Sequence, residues 1–318
     1  MKNLVSTSLF FILLIATNVA GANDKLNNQE CFFTLNGIEH YVKISGAENK
    51  TTPIIIVHGG PGGNNYNFEK TIGPHLEKFA PVVYYDQRGC GRSKAAKDTN
   101  DYTITTLISD LDCLRESLGL EEMTLLGYSF GAELSLRYTK AHPKRVKQLI
   151  ISSPAELSTS VFLVQLQGFY SIANQHLRHE IEEILKQDKS VKEKFLSIWN
   201  IVPQSVVDSF LFVNQYIANL NRKMWEESKL PSEGTVHFQN VIFENSKGDL
   251  LESVRGLDTE CLIISGIFDK NGGFQTGIEL NKVLTNSNLL LYEKSAHFPD
   301  MEESERFAND VKKFVLRN

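Results

Sequence analysis

Gly127-Tyr128-Ser129-Phe130-Gly131 decides how the rest of this chain is read. The apolar run Met123-Thr124-Leu125-Leu126 precedes it as a short buried strand, and Ala132 to Tyr138 follows with helical spacing of apolar residues. A G-x-S-x-G between a strand and a helix is a sharp turn that lifts the serine hydroxyl clear of a sheet edge. The two glycines permit the turn, and the Phe130 N–H falls at a helix start, where it can donate to a developing oxyanion. Chance alone produces the five-residue pattern roughly once in ten chains of this length, so partners for Ser129 must be found elsewhere.

Outward from the motif, short apolar runs alternate with helical stretches. Pro53 to Val57, Pro81 to Tyr85, Gln148 to Ser152, Cys261 to Ser265 and Asn288 to Tyr292 read as core strands of a mostly parallel sheet. Cys31 to Ile44 reads as a hairpin turning at Asn36-Gly37. Phe68 to Phe79, Thr105 to Leu118 and Phe307 to Leu316 read as helices, the second ending at Gly119 as a C-cap. The alternation stops between Pro154 and Gly256, where long aromatic-rich helical stretches imply a helical insertion. The organisation expected is a core of 23–153 and 257–318 with a helical cap of 154–256.

In such a sheet the loops after the strands gather on one edge, where ligands bind. Those loops carry Gly59 and Gly60, Asp86 and Arg88, Ser129, Asp269, and His297. The chain order Ser129, Asp269, His297 is that of an α/β-hydrolase triad. A serine hydroxyl is a poor nucleophile, so His297 is expected to take its proton, with Asp269 holding the imidazole tautomer. Asp300 is a rival acid. Phe130 and Gly60 are the expected oxyanion donors, with Gly59 the fallback.

Other groups offer weaker chemistry. Cys90 lies between Arg88 and Arg92, which would lower a thiol pKa, but no base is placed for it. His176, His179 and Glu180 run H-x-x-H-E, the wrong register for a zinc helix. No phosphate loop or dinucleotide fingerprint occurs, and no cofactor or metal is expected. The net charge of −5 speaks against a nucleic-acid partner.

Met1-Lys2-Asn3, the apolar run Leu4 to Ala20, and Ala20-Gly21-Ala22 read as a signal peptide cleaved after Ala22. The alternative is an uncleaved anchor, for which the apolar run is short. The expectation is an exported mature chain with no membrane contact. Its four cysteines, Cys31, Cys90, Cys113 and Cys261, allow three complete pairings or remain free thiols.

Four motifs together resemble the proline iminopeptidase family of α/β-hydrolases: His58-Gly-Gly-Pro-Gly62, Asp86-Gln-Arg-Gly-Cys-Gly-Arg-Ser93, Gly127-Tyr-Ser-Phe-Gly131 and Ser295-Ala-His-Phe-Pro299. They stand in the family's order and span nearly all of the mature core. The resemblance implies a serine aminopeptidase that removes amino-terminal residues, often proline, from short peptides beneath a helical cap. It also implies that Trp225-Glu226 is the W-E pair whose glutamate grips the substrate ammonium. Two departures stand out. No Glu sits in Thr235-Val236-His237-Phe238, where a second grip would fall, and the family's G-x-S-W-G is here Gly-Tyr-Ser-Phe-Gly. An esterase or amidase with the same triad, and a non-catalytic ligand-binding member of the fold, are the competing readings.

Overall fold

The computed structural model describes residues 26–155, 159–231, 241–242 and 249–317. The leader expected at 1–22 and the stretch 235–238 lie outside them.

The chain opens on a hairpin, β1 (Gln29–Leu35) and β2 (Ile38–Ser45). Asn36 and Gly37 turn it with φ of 45° and 79°, the paired positive values that suit a two-residue turn between twisted strands. Then come β3 (Ile54–Val57), β4 (Val82–Tyr85), β5 (Met123–Tyr128), β6 (Val146–Ser152), β7 (Cys261–Gly266) and β8 (Ser287–Tyr292). The sheet order is β1-β2-β4-β3-β5-β6-β7-β8, antiparallel from β1 to β4 through β2 and parallel beyond. From β3 the chain moves outward to β4, then returns to place β5 on the other side of β3. The strand order therefore reverses between β3 and β5, and the loops after these two strands diverge around a crevice.

Both faces of the sheet are covered, which is why β3, β4, β5 and β7 are buried along their whole length. Alternate residues feed two cores: Ile55, Val57 and Leu125 face one, Ile54, Ile56 and Leu126 the other. Helices α1 (Tyr66–Lys70) and α2 (Gly73–Leu76) follow β3, α3 (Ile104–Ser117) follows β4, and α4 (Phe130–Ala141) follows β5. Leu107, Leu111 and Leu114 place one stripe of α3 in the first core. The Thr103 hydroxyl caps α3 by accepting from the Thr106 N–H at 3.0 Å, and Gly119 follows its end with φ of 68°. The single helix expected over Phe68–Phe79 is two short ones. Pro74 has no N–H to continue the ladder and opens α2 instead.

Between β6 and β7 stand α5 (Thr159–Ile172), α6 (Gln175–Leu185), α7 (Val191–Trp199), α8 (Gln204–Leu211), α9 (Gln215–Ser228) and α10 (Leu250–Val254). These helices share a core of their own, Phe162, Leu166, Phe169, Ile181, Phe195, Ile198 and Phe210, with the Phe169 and Phe210 rings stacked at 4.1 Å. A smaller cluster joins these helices to the rest of the chain: Phe212, Ala218 and Met224 meet Met301, Tyr66 and Phe298. Helix α11 (Phe274–Val283) connects β7 to β8, and α12 (Pro299–Glu302) and α13 (Ser304–Val315) complete the chain. All four cysteines are free.

Candidate active site

Ser129 sits at the end of β5 with φ of 55° and ψ of −121°, a backbone conformation that L-residues rarely adopt. The motif glycines explain how the chain is held there. A Cβ at Gly131 would lie 2.0 Å from the Val57 carbonyl oxygen, and one at Gly127 would lie 2.4 Å from that of Gly131. Strand β3, the turn and the first turn of α4 are thus packed backbone to backbone. The Ser129 N–H donates to the Ser152 carbonyl of β6 at 3.0 Å, fixing the turn from the other side. Phe130 opens α4, so its N–H belongs to the first turn, whose donors have no acceptor within the helix.

The loops after β7 and β8 bring Asp269 and His297 to this turn. His297 Nδ1 donates to Asp269 Oδ2 at 2.9 Å, and His297 Nε2 lies 3.1 Å from Ser129 Oγ. Asp269 Oδ1 accepts the N–H groups of Asn271 at 2.8 Å and Gly272 at 3.1 Å. One carboxylate oxygen therefore anchors the acid to its own loop while the other orients the imidazole. Because Nδ1 carries the proton, Nε2 presents its lone pair to the serine. All three side chains are buried.

Asp300, the rival acid, is buried in α12 and its Oδ1 has no hydrogen-bond partner. Burial pushes its carboxyl up to about 7, against the pull of its own backbone N–H and of His297. The position on Nδ1 belongs to Asp269.

The His58–Gly63 loop lies against the serine, since a Cβ at Gly59 would sit 2.8 Å from Ser129 Cβ. His58 holds this loop: Nε2 accepts the Gln87 N–H at 3.0 Å, so Nδ1 donates to the Gly59 carbonyl at 2.9 Å. The Gln87 amide donates in turn to the His58 carbonyl at 2.7 Å. These bonds interlock the H-G-G-P-G and D-Q-R-G-x-G-x-S motifs. Burial keeps His58 below the usual histidine range, which suits its fixed neutral tautomer.

Asp86 and Arg88, counted among the loop residues that could carry chemistry, are occupied in building this scaffold. Asp86 accepts the Asn65 N–H at 2.9 Å, the Arg92 N–H at 3.0 Å and the Arg92 guanidinium at 2.8 Å. A Cβ at Gly91 would strike Asp86 Oδ2 at 2.4 Å, and φ there is 52°. Arg88 grips Asp110 through two bonds of 2.6 Å. Burial alone would raise the Asp110 carboxyl, but His40, Arg88 and Asn36 together hold it below its ordinary value. Cys90 is buried with its Sγ 3.4 Å from the Arg88 carbonyl, and burial pushes its thiol up, the opposite of an activated thiolate. His176 and Glu180 form an exposed contact of 3.7 Å on α6.

Trp225 is half-buried in α9 and Glu226 is exposed. Met224 of the same helix packs toward Phe298, next to His297 in the chain, and Glu226 emerges about 200° around the helix from it. No contact joins Glu226 to the triad among the described residues. One residue near the triad had no motif to announce it: Asn271 places its side-chain amide 2.9 Å from His297 Nε2.

Residues 52–304 match the family described as alpha/beta hydrolase fold. The chain belongs to that family. Relatives agree across most of its length. A proline iminopeptidase of Saccharolobus solfataricus is 25% identical over 307 residues, covering 91% of this chain and 93% of its own. One from Heyndrickxia coagulans is 26% identical, covering 83% of this chain and 90% of its own. Among solved structures, a proline iminopeptidase-related protein from Thermus thermophilus superposes with a TM-score of 0.75 at 20% identity, covering 91% of this chain and 98% of that one. An esterase from Exiguobacterium antarcticum superposes with a TM-score of 0.67 at 22% identity, covering 91% and 100%. At these identities the structures show a shared fold, and the sequence relatives carry the likeness to proline iminopeptidases.

Proposed function

We propose that this protein is a serine hydrolase that releases amino-terminal residues, proline among them, from short peptides. The observation that carries the hydrolase reading is the continuous hydrogen-bonded array Ser129–His297–Asp269 at the strand-order reversal. In this reading Ser129 Oγ attacks the scissile carbonyl as His297 Nε2 takes its proton. The N–H groups of Phe130 and Gly60 receive the oxyanion, and Asp269 stabilises the imidazolium. His297 then gives its proton to the departing amine, leaving an acyl-enzyme that water cleaves by the same steps in reverse. The peptide preference rests on the likeness to proline iminopeptidases over most of the chain. The cap would supply it, with Trp225 walling a proline-like ring and Glu226 meeting the ammonium. The exposure of Glu226 favours a second reading, an esterase with the same triad and no amine recognition. A purely ligand-binding role would leave the intact triad without a task.

A fluorophosphonate probe should label the wild-type protein once, at Ser129, and should not label Ser129→Ala, whose thermal unfolding should be nearly unchanged. A wild-type protein that fails to react ends the hydrolase reading. A panel of aminoacyl-arylamides against simple esters then separates peptidase from esterase. The reading includes export, with the mature chain starting at Asn23: amino-terminal sequencing of secreted or periplasmic material should begin there, and a retained Met1 in a membrane fraction would replace it with an anchored protein.

A further inference from the structure

His297 Nε2 has one lone pair and two neighbours competing for it. Ser129 Oγ is at 3.1 Å and the Asn271 amide nitrogen is at 2.9 Å. The other end of the Asn271 amide reaches the cap: its Oδ1 accepts from Gln165 Nε2 of α5 at 2.7 Å. Gln165 Oε1 is buried and has no partner. A line of two amides therefore runs from a cap helix to the atom that is to receive the serine proton.

We infer that Gln165 and Asn271 are a positioning pair that serves His297 in both of its protonation states and couples the base to the cap. The inference rests on the hydrolase reading, in which Nε2 takes the Ser129 proton. While the imidazole is neutral, Nε2 is an acceptor whose lone pair is shared between the Ser129 hydroxyl and the Asn271 amide, both of which face it as donors. Once the proton has moved from Ser129 Oγ, Nε2–H is a donor, and an N–H facing it would repel. Turning both amides over, so that oxygen and nitrogen trade places, removes the conflict without moving any other heavy atom. Asn271 Oδ1 then accepts Nε2–H, and Asn271 Nδ2 donates to Gln165 Oε1. Nothing is consumed, because the proton goes on to the leaving group. Since Gln165 belongs to the cap, its side chain decides which orientation Asn271 prefers.

The other charged and titratable groups around His297 are Asp269 from the β7 loop, Asp300 and Glu302 from α12, Tyr128 from β5 and Lys270 beside Asp269. On α8, Asp208 is paired with Arg222. All of these are unchanged in the variants that follow, so a difference among the variants reports on the amides.

Gln165→Glu offers only acceptors, so it should turn the Asn271 amide until Oδ1 faces Nε2. That arrangement favours the imidazolium before substrate arrives. The rate constant for fluorophosphonate labelling of Ser129, measured against pH, should show its acid limb displaced upward by roughly one pH unit, the worth of about one charged hydrogen bond. A carboxylate acting through space would do the same, so the measurement is repeated with Asn271→Leu present. There the Gln165→Glu displacement should fall to less than about a third, since the amide that relays it is gone. Equal displacements in the two backgrounds, or none in either, overturn the inference. Asn271→Ser, with no carboxamide to turn over, replaces Asn271→Leu if the latter fails to unfold cooperatively on heating. Wild-type protein that does not label at all would instead refute the hydrolase reading, so the two failures are distinguishable.

Discussion

The backbone N–H of His297 donates to the carbonyl of Leu211 at 3.0 Å, so the loop carrying His297 is bonded directly to the last turn of α8. Glu302 makes the same junction from below. Its Oε1 accepts the N–H groups of Val213 at 2.8 Å and Asn214 at 2.7 Å, and its Oε2 accepts that of Ala296 at 2.7 Å. Stacking of Phe212 on Phe298 at 4.5 Å completes the contact. The helices between β6 and β7 are thereby bonded both to the loop that carries His297 and to α12.

Glu302→Ala removes the acceptor for three N–H groups. Val213 and Asn214 can turn to water, but Ala296 is fully buried and its donor cannot. The expected cost is about 1–3 kcal/mol of stability, the penalty for leaving a buried donor unmade. Amide exchange should accelerate at Val213, Asn214 and Ala296 more than in β5. Exchange that rises uniformly through the sheet would mean that Glu302 only stabilises the whole fold.

Asp269 and Asp300 separate cleanly by substitution. Asp269→Asn removes the carboxylate from Nδ1 and should lower kcat by about three to four orders of magnitude, the loss expected when the imidazole takes the wrong tautomer. Asp300→Asn should leave kcat within a few fold. Its effect is on stability. The folded-state value of about 7 stands above the ordinary 3.8, so the folded protein binds the extra proton and its stability falls as pH rises from about 4 to about 7. Above that window the penalty for the buried charge is complete. Asp300→Asn should therefore match the wild type near pH 4 and exceed it at pH 8 by on the order of 2–4 kcal/mol. Denaturant midpoints at the two pH values test this, and equal midpoints at pH 8 would show that the Asp300 charge is compensated.

Arg88→Leu tests whether the D-Q-R-G-x-G-x-S motif acts through structure. It leaves the buried Asp110 carboxylate with Asn36 and His40 but without its bidentate partner, which should cost about 3–5 kcal/mol. Activity per folded molecule, titrated with the fluorophosphonate, should stay near the wild-type value. A stable variant with a large loss of kcat would move Arg88 into the site.

The sheet, the elbow and the order of the triad were legible because each rests on a local rule. Fully apolar four-residue runs mark strands covered on both faces, and glycines mark places where backbones touch. What was not legible depended on contacts between distant segments. Pro74 splits a helix that periodicity alone would continue. Helix α11 places only Gly277 and Leu280 in full burial, too narrow an apolar stripe to stand out. Asp86 and Arg88 sit in the right loop for chemistry, and only the positions of Asn65, Arg92 and Asp110 reveal that they are already engaged. Asn271 lies two residues beyond the acid in a glycine-bearing turn, and nothing in its sequence neighbours says that it returns to His297.

Recognition of a free amino terminus is the property that distinguishes the peptidase from the esterase reading, and Glu226 is where it can be tested. An aminopeptidase must tell an ammonium from an acylated nitrogen, and a carboxylate hydrogen bond is the direct way to do so. Glu226 stands in solvent at the far side of α9 from Met224, so its pairing with a substrate would resemble an exposed ion pair, worth about 0.2–1 kcal/mol. On that basis Glu226→Gln should lower kcat/KM on free-amine peptides by roughly two- to fivefold. Raising the salt concentration should shrink the difference, because exposed charges are screened. Hydrolysis of a small neutral ester at the same serine should be unaffected. An equal loss on ester and peptide, or none on either, would remove Glu226 from substrate recognition and leave the esterase reading ahead.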